Sequence, residues 1–303
     1  MTVLPRTSVV LCTRDRPALA ADMVDSVLSG WAVPAELVIV DQSESPDAGL
    51  ESLKPASGCR CRYVRSASRG LSRARNEGAR LAVHPIIAFA DDDTIADPSW
   101  LSELVGALGT SAPGTAVTGR VMAAPSEAPG GYAPTIRTEL EPRVYRGRVD
   151  FDPLVTFNMA IHRETLEAVG GFDPRLGPGT AFPAAEDNDL GFRLLEAGYA
   201  IRYVPEAVLH HRAWRDGNSY RALRRGYGRG QGAFFAKHAS LRDPFVLRRM
   251  VGRLARVAAR IPRRMVRRRD LARGDVAYLF GAISGFTEWL WRRVPDEAGL
   301  KTR

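Results

Sequence analysis

Apolar residues in this chain come in short bursts that end on polar groups, with stretches of helical composition between them. Ser8-Val9-Val10-Leu11-Cys12 runs into Thr13-Arg14-Asp15-Arg16-Pro17, and Ala18 to Leu28 then has helical composition up to Gly30. Glu36 to Val40 repeats the pattern and ends at Asp41-Gln42-Ser43; Arg62-Tyr63-Val64 is a weaker strand candidate. Residues 69–82 have helical composition, and Ile86 to Ala90 is again an apolar burst, closed by Asp91-Asp92-Asp93. Strands alternating with helices of this length predict right-handed βαβ units and a parallel sheet, hence an α/β fold. Further on, the pattern predicts a helix from Pro98 to about Leu108, a strand over 116–122, a short helix over 165–169, a helix over 186–197 and a strand over 200–204 leading to His210-His211. Residues 123–153 carry Pro, Gly and mixed charge with little periodicity, which predicts a long surface excursion.

The three consecutive acids are the densest chemistry in the sequence. An apolar strand opening onto carboxylates is how open α/β sheets present a ligand crevice. Residues two apart on an extended segment share a face, so Asp91 and Asp93 can converge while Asp92 points elsewhere or turns to the backbone. Such a cluster fits a hard divalent cation, Mg²⁺ or Mn²⁺, which takes one or two carboxylates and completes its shell with water and phosphate oxygens. The plainer reading is a solvated acidic turn ahead of the helix near Pro98.

Composition adds bounds. The 303 residues are 45% hydrophobic and 25% charged, which is ordinary for a globular protein and argues against disorder. Cys12 sits in an apolar run, and Cys59 and Cys61 are too close for an easy disulfide, so a reducing compartment is expected, with no secretory signal visible. The net charge of +9 is concentrated late, in arginines crowding 248–269. There Leu247, Val251, Leu254, Val257, Ala258 and Ile261 form one stripe, interrupted at Pro262, and an aromatic segment follows from Val276 to Trp291. Its apolar core is short of the roughly 20 residues that span a bilayer. An amphipathic helix packed on the rest of the chain is one reading; association with an anionic membrane surface is preferred. Nucleic-acid binding is disfavoured, since no reading motif accompanies the arginines.

Taken together, the segments Thr13 to Pro17, Asp41-Gln42-Ser43, Gly70 with Ala74-Arg75-Asn76, Asp91-Asp92-Asp93, Asn158 to Ile161, Val169 to Asp173, Glu186-Asp187 and Pro205 to His210 resemble, in order, the family 2 glycosyltransferases of the GT-A fold. The resemblance covers roughly residues 6–212. It implies a catalytic domain over 1–215, with a nucleotide-binding half to about 122 and an acceptor half from about 150, followed by a basic helical extension over 216–303. It further implies inverting transfer of a sugar from a nucleotide-diphosphate donor to an acceptor hydroxyl. The cysteines and the basic C-terminal segment place the expected enzyme in the cytoplasm and peripheral to the membrane, where a lipid-linked or membrane-proximal acceptor would give that location a purpose. On that basis Asp41 takes the nucleobase, Thr13 lines the same pocket with Arg14 and Asp15 beside it, Arg75 lies near the phosphates, and Asp91 lies near the ribose with Asp92 adjoining. Asp93 holds the cation, His210 resembles a histidine placed on the metal or diphosphate, Asp187 is the general base, and Glu186 positions the acceptor. Asp189 is a weaker candidate for the base. Arg69 and Phe157 depart from the common pattern, where Asn and Gly are frequent, so donor and acceptor identities are not carried over. A metal-dependent nucleotidyltransferase is the alternative enzyme class.

Overall fold

A computed structural model describes residues 2–53, 58–125, 133–212 and 216–292. The first half alternates β1 (Thr2–Thr13), α1 (Pro17–Leu28), β2 (Ala32–Asp41), a one-turn α2 (Ala48–Glu51), β3 (Arg60–Arg65), α3 (Leu71–Leu81) and β4 (Ile86–Asp91). Next come β5 (Thr94–Ala96), α4 (Trp100–Gly109), β6 (Thr115–Ala123), β7 (Arg143–Arg146), β8 (Met159–His162), α5 (Arg163–Ala168), α6 (Glu186–Glu196) and β9 (Ala200–His211). Three long helices close the chain: α7 (Gly217–His238), α8 (Phe245–Arg267) and α9 (Arg269–Arg292).

The strands form one sheet in the order β3-β2-β1-β4-β8-β6-β9-β5, with β7 also paired to β9. β1, β2, β3 and β4 run parallel, as do β6 and β9, whereas β8 is antiparallel to both β4 and β6. The sheet is thus mostly parallel, as expected of this α/β pattern, with β8 inserted antiparallel. Strand order reverses at β1, so the C-terminal ends of β1 and β4 flank a switch point, where open α/β sheets gather ligands. Cys12 and Asp91 are paired across it, which sets Thr13 beside the triple-acid turn.

Core faces follow residue spacing. α1 starts at Pro17, whose fixed φ suits a first helical turn, and buries Ala20, Met23, Val24 and Val27 at three- and four-residue intervals. α4 does the same with Trp100, Leu101, Leu104, Val105 and Leu108. Trp100 donates its indole N–H to Asn158 Oδ1 at 2.8 Å, and Asn158 Nδ2 donates to the carbonyls of Arg120 and Ala207 at 2.9 and 3.1 Å. One buried amide therefore ties α4, β6, the turn before β8 and β9 together. Within the long excursion the structure has the edge strand β7 and a bridge from Arg137 to Val121; residues 126–132 lie outside the described residues, as do 213–215, where the domain boundary was expected.

The C-terminal helices pack at backbone distance. An added Cβ at Gly228 or Gly232 would fall 2.0 Å from the carbonyl of Tyr278 or Ala282, and one at Gly281 or Gly285 would meet those of Arg225 and Arg229 at 2.2 and 1.9 Å. Glycines spaced four apart on both α7 and α9 allow this close approach. α8 runs through Pro262 instead of ending there. Pro262 and Ala258, whose carbonyl loses its i+4 donor, are both on the exposed side, where water can take that bond. Among the described residues no helix is long and apolar enough to cross a membrane.

Candidate active site

A cleft of about 740 Å³ opens at the switch point, lined by Thr13, Arg14, Arg16, Gln42, Asp91, Asp92, Asp93, Glu186, Asp187 and His211, with α7, α8 and α9 forming its far wall. The triple-acid turn, α6 and the last residue of β9 thus meet in one cavity.

The most consequential placement is that of Arg75, on α3 and 1% exposed. Its Nη2 donates to Asp91 Oδ1 at 2.7 Å and its Nη1 to Thr156 Oγ1 at 2.7 Å; Nη1 also stands 3.6 Å from Asp187 and 3.7 Å from Glu186. Thr156 in turn donates its hydroxyl to Asp187. Arg75 is therefore the buried counter-ion of three acids from two distant segments. Burial alone would disfavour its charge, but Asp91, Asp187 and Glu186 together hold it firmly protonated.

α6 begins abruptly at the cleft. Its N-cap, Ala185, has φ +73°, a left-handed conformation that costs a non-glycine residue energy and is found mostly where function requires it. Glu186, Asp187 and Asp189 occupy the first turn, where the helix dipole favours negative charge. Burial and then the neighbouring Asp187 push Glu186 up to about 8, and burial also raises Asp187. Arg75 stands nearly as close to Glu186 as to Asp187, and the Thr156 hydroxyl, which donates to Asp187 alone, is what favours the charged form there. Asp189 points the other way. Fully buried, it accepts from Lys237 Nζ at 2.6 Å, Arg193 Nε at 2.8 Å and His238 Nε2 at 2.8 Å, and so anchors α7.

At the other end, Asp92 turns to the protein rather than to solvent. It accepts from the Thr13 hydroxyl at 2.8 Å, and burial, with the charge of Asp93 next in weight, pushes it up to about 7. Arg16 Nη1 bridges Asp92 and Asp93 at 3.4 and 3.2 Å; it was seen in sequence only as part of a motif. The expectation for His210 is corrected: His211 is the buried member of the pair, lines the cleft and has Nε2 3.5 Å from Asp93 Oδ1. Its Nδ1 lies 3.0 Å from the Pro134 carbonyl, which can only accept, so Nδ1 carries a proton and Nε2 faces the acid. His210 pairs with Ile95 on β5 and does not line the cleft.

The remaining candidates divide. Arg14 lines the cleft and pairs with exposed Asp15, whose φ of +56° and backbone N–H, donated to Ser43 Oγ at 2.7 Å, mark a turn. Asp41 does not line the cleft; its Oδ1 accepts from Ser43 N at 2.8 Å and its Oδ2 from Tyr63 OH at 2.7 Å. Gln42, its neighbour, takes the cleft position.

Among the described residues no group of three or more His, Cys, Asp or Glu is placed to hold a metal. Asp93 and His211 provide two donors beside an excess of carboxylate that an arginine now offsets. That set fits Mn²⁺ or Mg²⁺, which needs few protein ligands when diphosphate and water complete the shell. A hydrogen bond from the far ring nitrogen to a carbonyl is the usual support of a ligating histidine.

The chain is similar to several known glycosyltransferases. The chain is 26% identical over 224 residues to glucosyl-dolichyl phosphate glucuronosyltransferase of Haloferax volcanii, covering 68% of this chain and 69% of that one. It is 27% identical over 234 residues to validoxylamine A glucosyltransferase of Streptomyces hygroscopicus subsp. limoneus, covering 67% of this chain and 51% of that protein. Among solved structures, mannosyltransferase PcManGT from Pyrobaculum calidifontis, in complex with GDP-Man and Mn²⁺, superposes with a TM-score of 0.62 at 18% identity, over 95% of this chain and 88% of that one. GalNAc-T7 with UDP, GalNAc and Mn²⁺ gives 0.56 at 18% identity, over 77% of this chain and 50% of that one. These likenesses establish the GT-A fold. Residues 8–166, over half of the chain, match the profile of glycosyl transferase family 2, and the protein belongs to that family.

Proposed function

We propose that this glycosyltransferase moves a sugar from a nucleotide-diphosphate donor to an acceptor hydroxyl in a single displacement that inverts the anomeric carbon. One observation carries the reading: Asp93 and Asp187, remote in sequence, line the same cleft, with Arg75 joining their segments through Asp91.

A divalent cation held by Asp93 and His211 would supply Lewis-acid stabilisation to the departing diphosphate; the ligands of two structural neighbours, a nucleotide or nucleotide sugar with Mn²⁺, support that choice. The residues do the rest. Arg16 faces the acids at the donor end and is placed to turn to the phosphates once those acids have another counter-ion. Asp187, charged and oriented by Thr156, takes the acceptor's proton as the new bond from oxygen to the anomeric carbon forms. The bond from that carbon to the diphosphate oxygen breaks, and the electron pair leaves with the nucleoside diphosphate. A positioned base of this kind contributes about 10²–10⁴-fold. Glu186, protonated near neutral pH, can donate a hydrogen bond to the acceptor.

A lipid-linked acceptor is supported by two features. The Haloferax relative is named for a dolichyl-phosphate-linked substrate. On α9, Phe280, Ile283 and Leu290 are exposed at helical spacing, with Trp291 beside them and exposed Arg269 and Arg273 preceding them on the same face, an arrangement suited to an anionic membrane surface. Four of the arginines on α8 are engaged by acids of other segments, Arg249 and Arg253 by Asp152 and Arg260 and Arg264 by Asp275, while Arg248, Arg256, Arg263 and Arg267 are exposed.

Incubation with Mn²⁺ and a panel of nucleotide sugars tests the function. Release of nucleoside diphosphate with a product of opposite anomeric configuration, read by proton NMR, is expected. Pyrophosphate release would indicate nucleotidyl transfer, and a retained configuration would overturn the single displacement.

A further inference from the structure

The helical wall of the cleft carries a charge that transfer of a neutral sugar to a neutral hydroxyl does not use. Arg224 on α7 and Arg260 and Arg264 on α8 all face Asp275 of α9, at 3.3, 2.9 and 2.7 Å, and Asp275 is fully buried. Arg249 and Arg253 face Asp152, which precedes the turn that carries Thr156. Five guanidinium groups thus meet two carboxylates, and of these groups Arg224, Arg253 and Asp152 line the cleft. Guanidinium donors that face a cavity and are not fully used by the protein suit an anion there.

Two unmade hydrogen bonds point the same way. Gln231, on α7 and 4% exposed, lines the cleft and accepts from Asn188 Nδ2 through its Oε1 at 3.0 Å, while its own Nε2 donors have no partner. Arg224 Nε is likewise buried without a partner, and its guanidinium lies 4.5 Å from the centroid of the Tyr278 ring. Asp275 does not depend on Arg224, whose contact is the longest of its three. Arg253, held by Asp152 and by the Tyr278 hydroxyl at 3.0 Å, lines the cleft beside them. Asn188 follows Asp187 directly, so Gln231 stands next to the point where the acceptor must sit.

We propose that Arg224, Gln231 and Arg253 bind a phosphoryl group carried by the acceptor, so that the enzyme selects phosphorylated acceptors and orients their hydroxyl toward Asp187. Several donors spread over two helices suit a group with oxygens on several sides, and guanidinium is the side chain best matched to phosphate. This inference rests on the glycosyl-transfer reading. The same chemistry is found in a soluble sugar phosphate and in a lipid phosphate, and the test separates the two.

The full-length protein is saturated with Mn²⁺ and the nucleoside diphosphate that stabilises it most, which fills the donor end, and is then titrated calorimetrically with glucose 1-phosphate and with octyl phosphate. Glucose and octyl glucoside serve as uncharged controls. Binding of either phosphate over its control is expected, weakened about tenfold or more in Arg224→Gln and in Gln231→Leu, because each removes a donor to a charged group, while nucleotide affinity stays within about twofold. Preference for glucose 1-phosphate identifies a soluble acceptor and preference for octyl phosphate a lipid one. If nucleotide binds but neither phosphate does, or if both variants bind phosphate as the parent does, the inference falls and the donor reading stands. If no nucleoside diphosphate binds with Mn²⁺, the glycosyl-transfer reading falls first.

Discussion

Replacing Arg75 with Met keeps most of the buried stem and removes only the charge, so it isolates what the guanidinium does. Arg75 lies 2.7 Å from Asp91 and 3.6 Å from Asp187, with Glu186 at 3.7 Å. Glu186 is pushed up to about 8 even with Arg75 lowering it, so without Arg75 it stays mostly neutral at pH 8, and two carboxylates are left without their counter-ion. Each such pair at about 4 Å is worth on the order of 4 kcal/mol at an effective dielectric of 20. Relaxation and proton uptake cap the loss, and breaking a buried pair typically costs about 3–5 kcal/mol, which is the expected destabilisation at pH 8. Lowering the pH lets the abandoned acids take up protons and recovers about 1.4 kcal/mol per pH unit for each group that titrates. The penalty should therefore shrink clearly between pH 8 and pH 5.5. Urea denaturation followed by tryptophan fluorescence, without metal or nucleotide, measures both values. A loss under about 1 kcal/mol that is the same at both pH values would refute Arg75 as the hub of the site.

Other outcomes follow from the same geometry. Asp93→Asn and His211→Gln should each remove much of the Mn²⁺-dependent part of the thermal shift given by a nucleoside diphosphate, while His210→Gln leaves it intact; equal effects of the two histidine variants would contradict the placement of His211 beside Asp93. Glu186 has its folded-state value raised from 4.5 to about 8, so the stability its protonated form contributes is fully present below pH 4.5 and is lost as pH rises through 8. Glu186→Gln should accordingly match the parent in melting temperature at pH 4.5 and exceed it at pH 9. Gly285→Val would drive a side chain into the Arg229 carbonyl and should cost about 1–3 kcal/mol, whereas Gly252→Ala, with no atom within 4 Å of its added Cβ, should be neutral or stabilising in the same melting assay.

Much of the site was legible because its chemistry sits at strand ends. The burst Ile86–Ala90 stops at the acids that line the cleft, and Glu186-Asp187 open a helix at its mouth. What could not be read depends on counting across space. The resemblance pointed to His210, the last residue of the Pro205 to His210 segment, but the β6–β9 register jumps between Gly119 and Arg120, where Val204 and then Val208 are the partners. Residues 205–207 are set out of register, and a slip of this kind changes which side chains face the cleft, so parity counted from residue 200 is not preserved. The direction of β8 is equally hidden, since a period of two is the same for parallel and antiparallel neighbours. Arg75 looks like a surface arginine on a helix until three carboxylates are seen around it. Asp41 has its oxygens taken by Ser43 and Tyr63, the latter on β3, a strand whose weak pattern gave no hint of that contact. Arg249, Arg253, Arg260 and Arg264 read as part of a solvated or membrane face because their partners, Asp152 and Asp275, lie in other segments.

The account centres on two acids with separate duties in one cavity: Asp93 for the metal and donor, Asp187 for the acceptor proton. Calorimetry of the nucleotide sugar with Mn²⁺, paired with nucleoside diphosphate release, measures both duties in Asp187→Asn. Donor affinity close to that of the parent with turnover reduced at least about 10²-fold is the predicted result. Turnover at the parental rate, or loss of donor binding equal to that of Asp93→Asn, would contradict it.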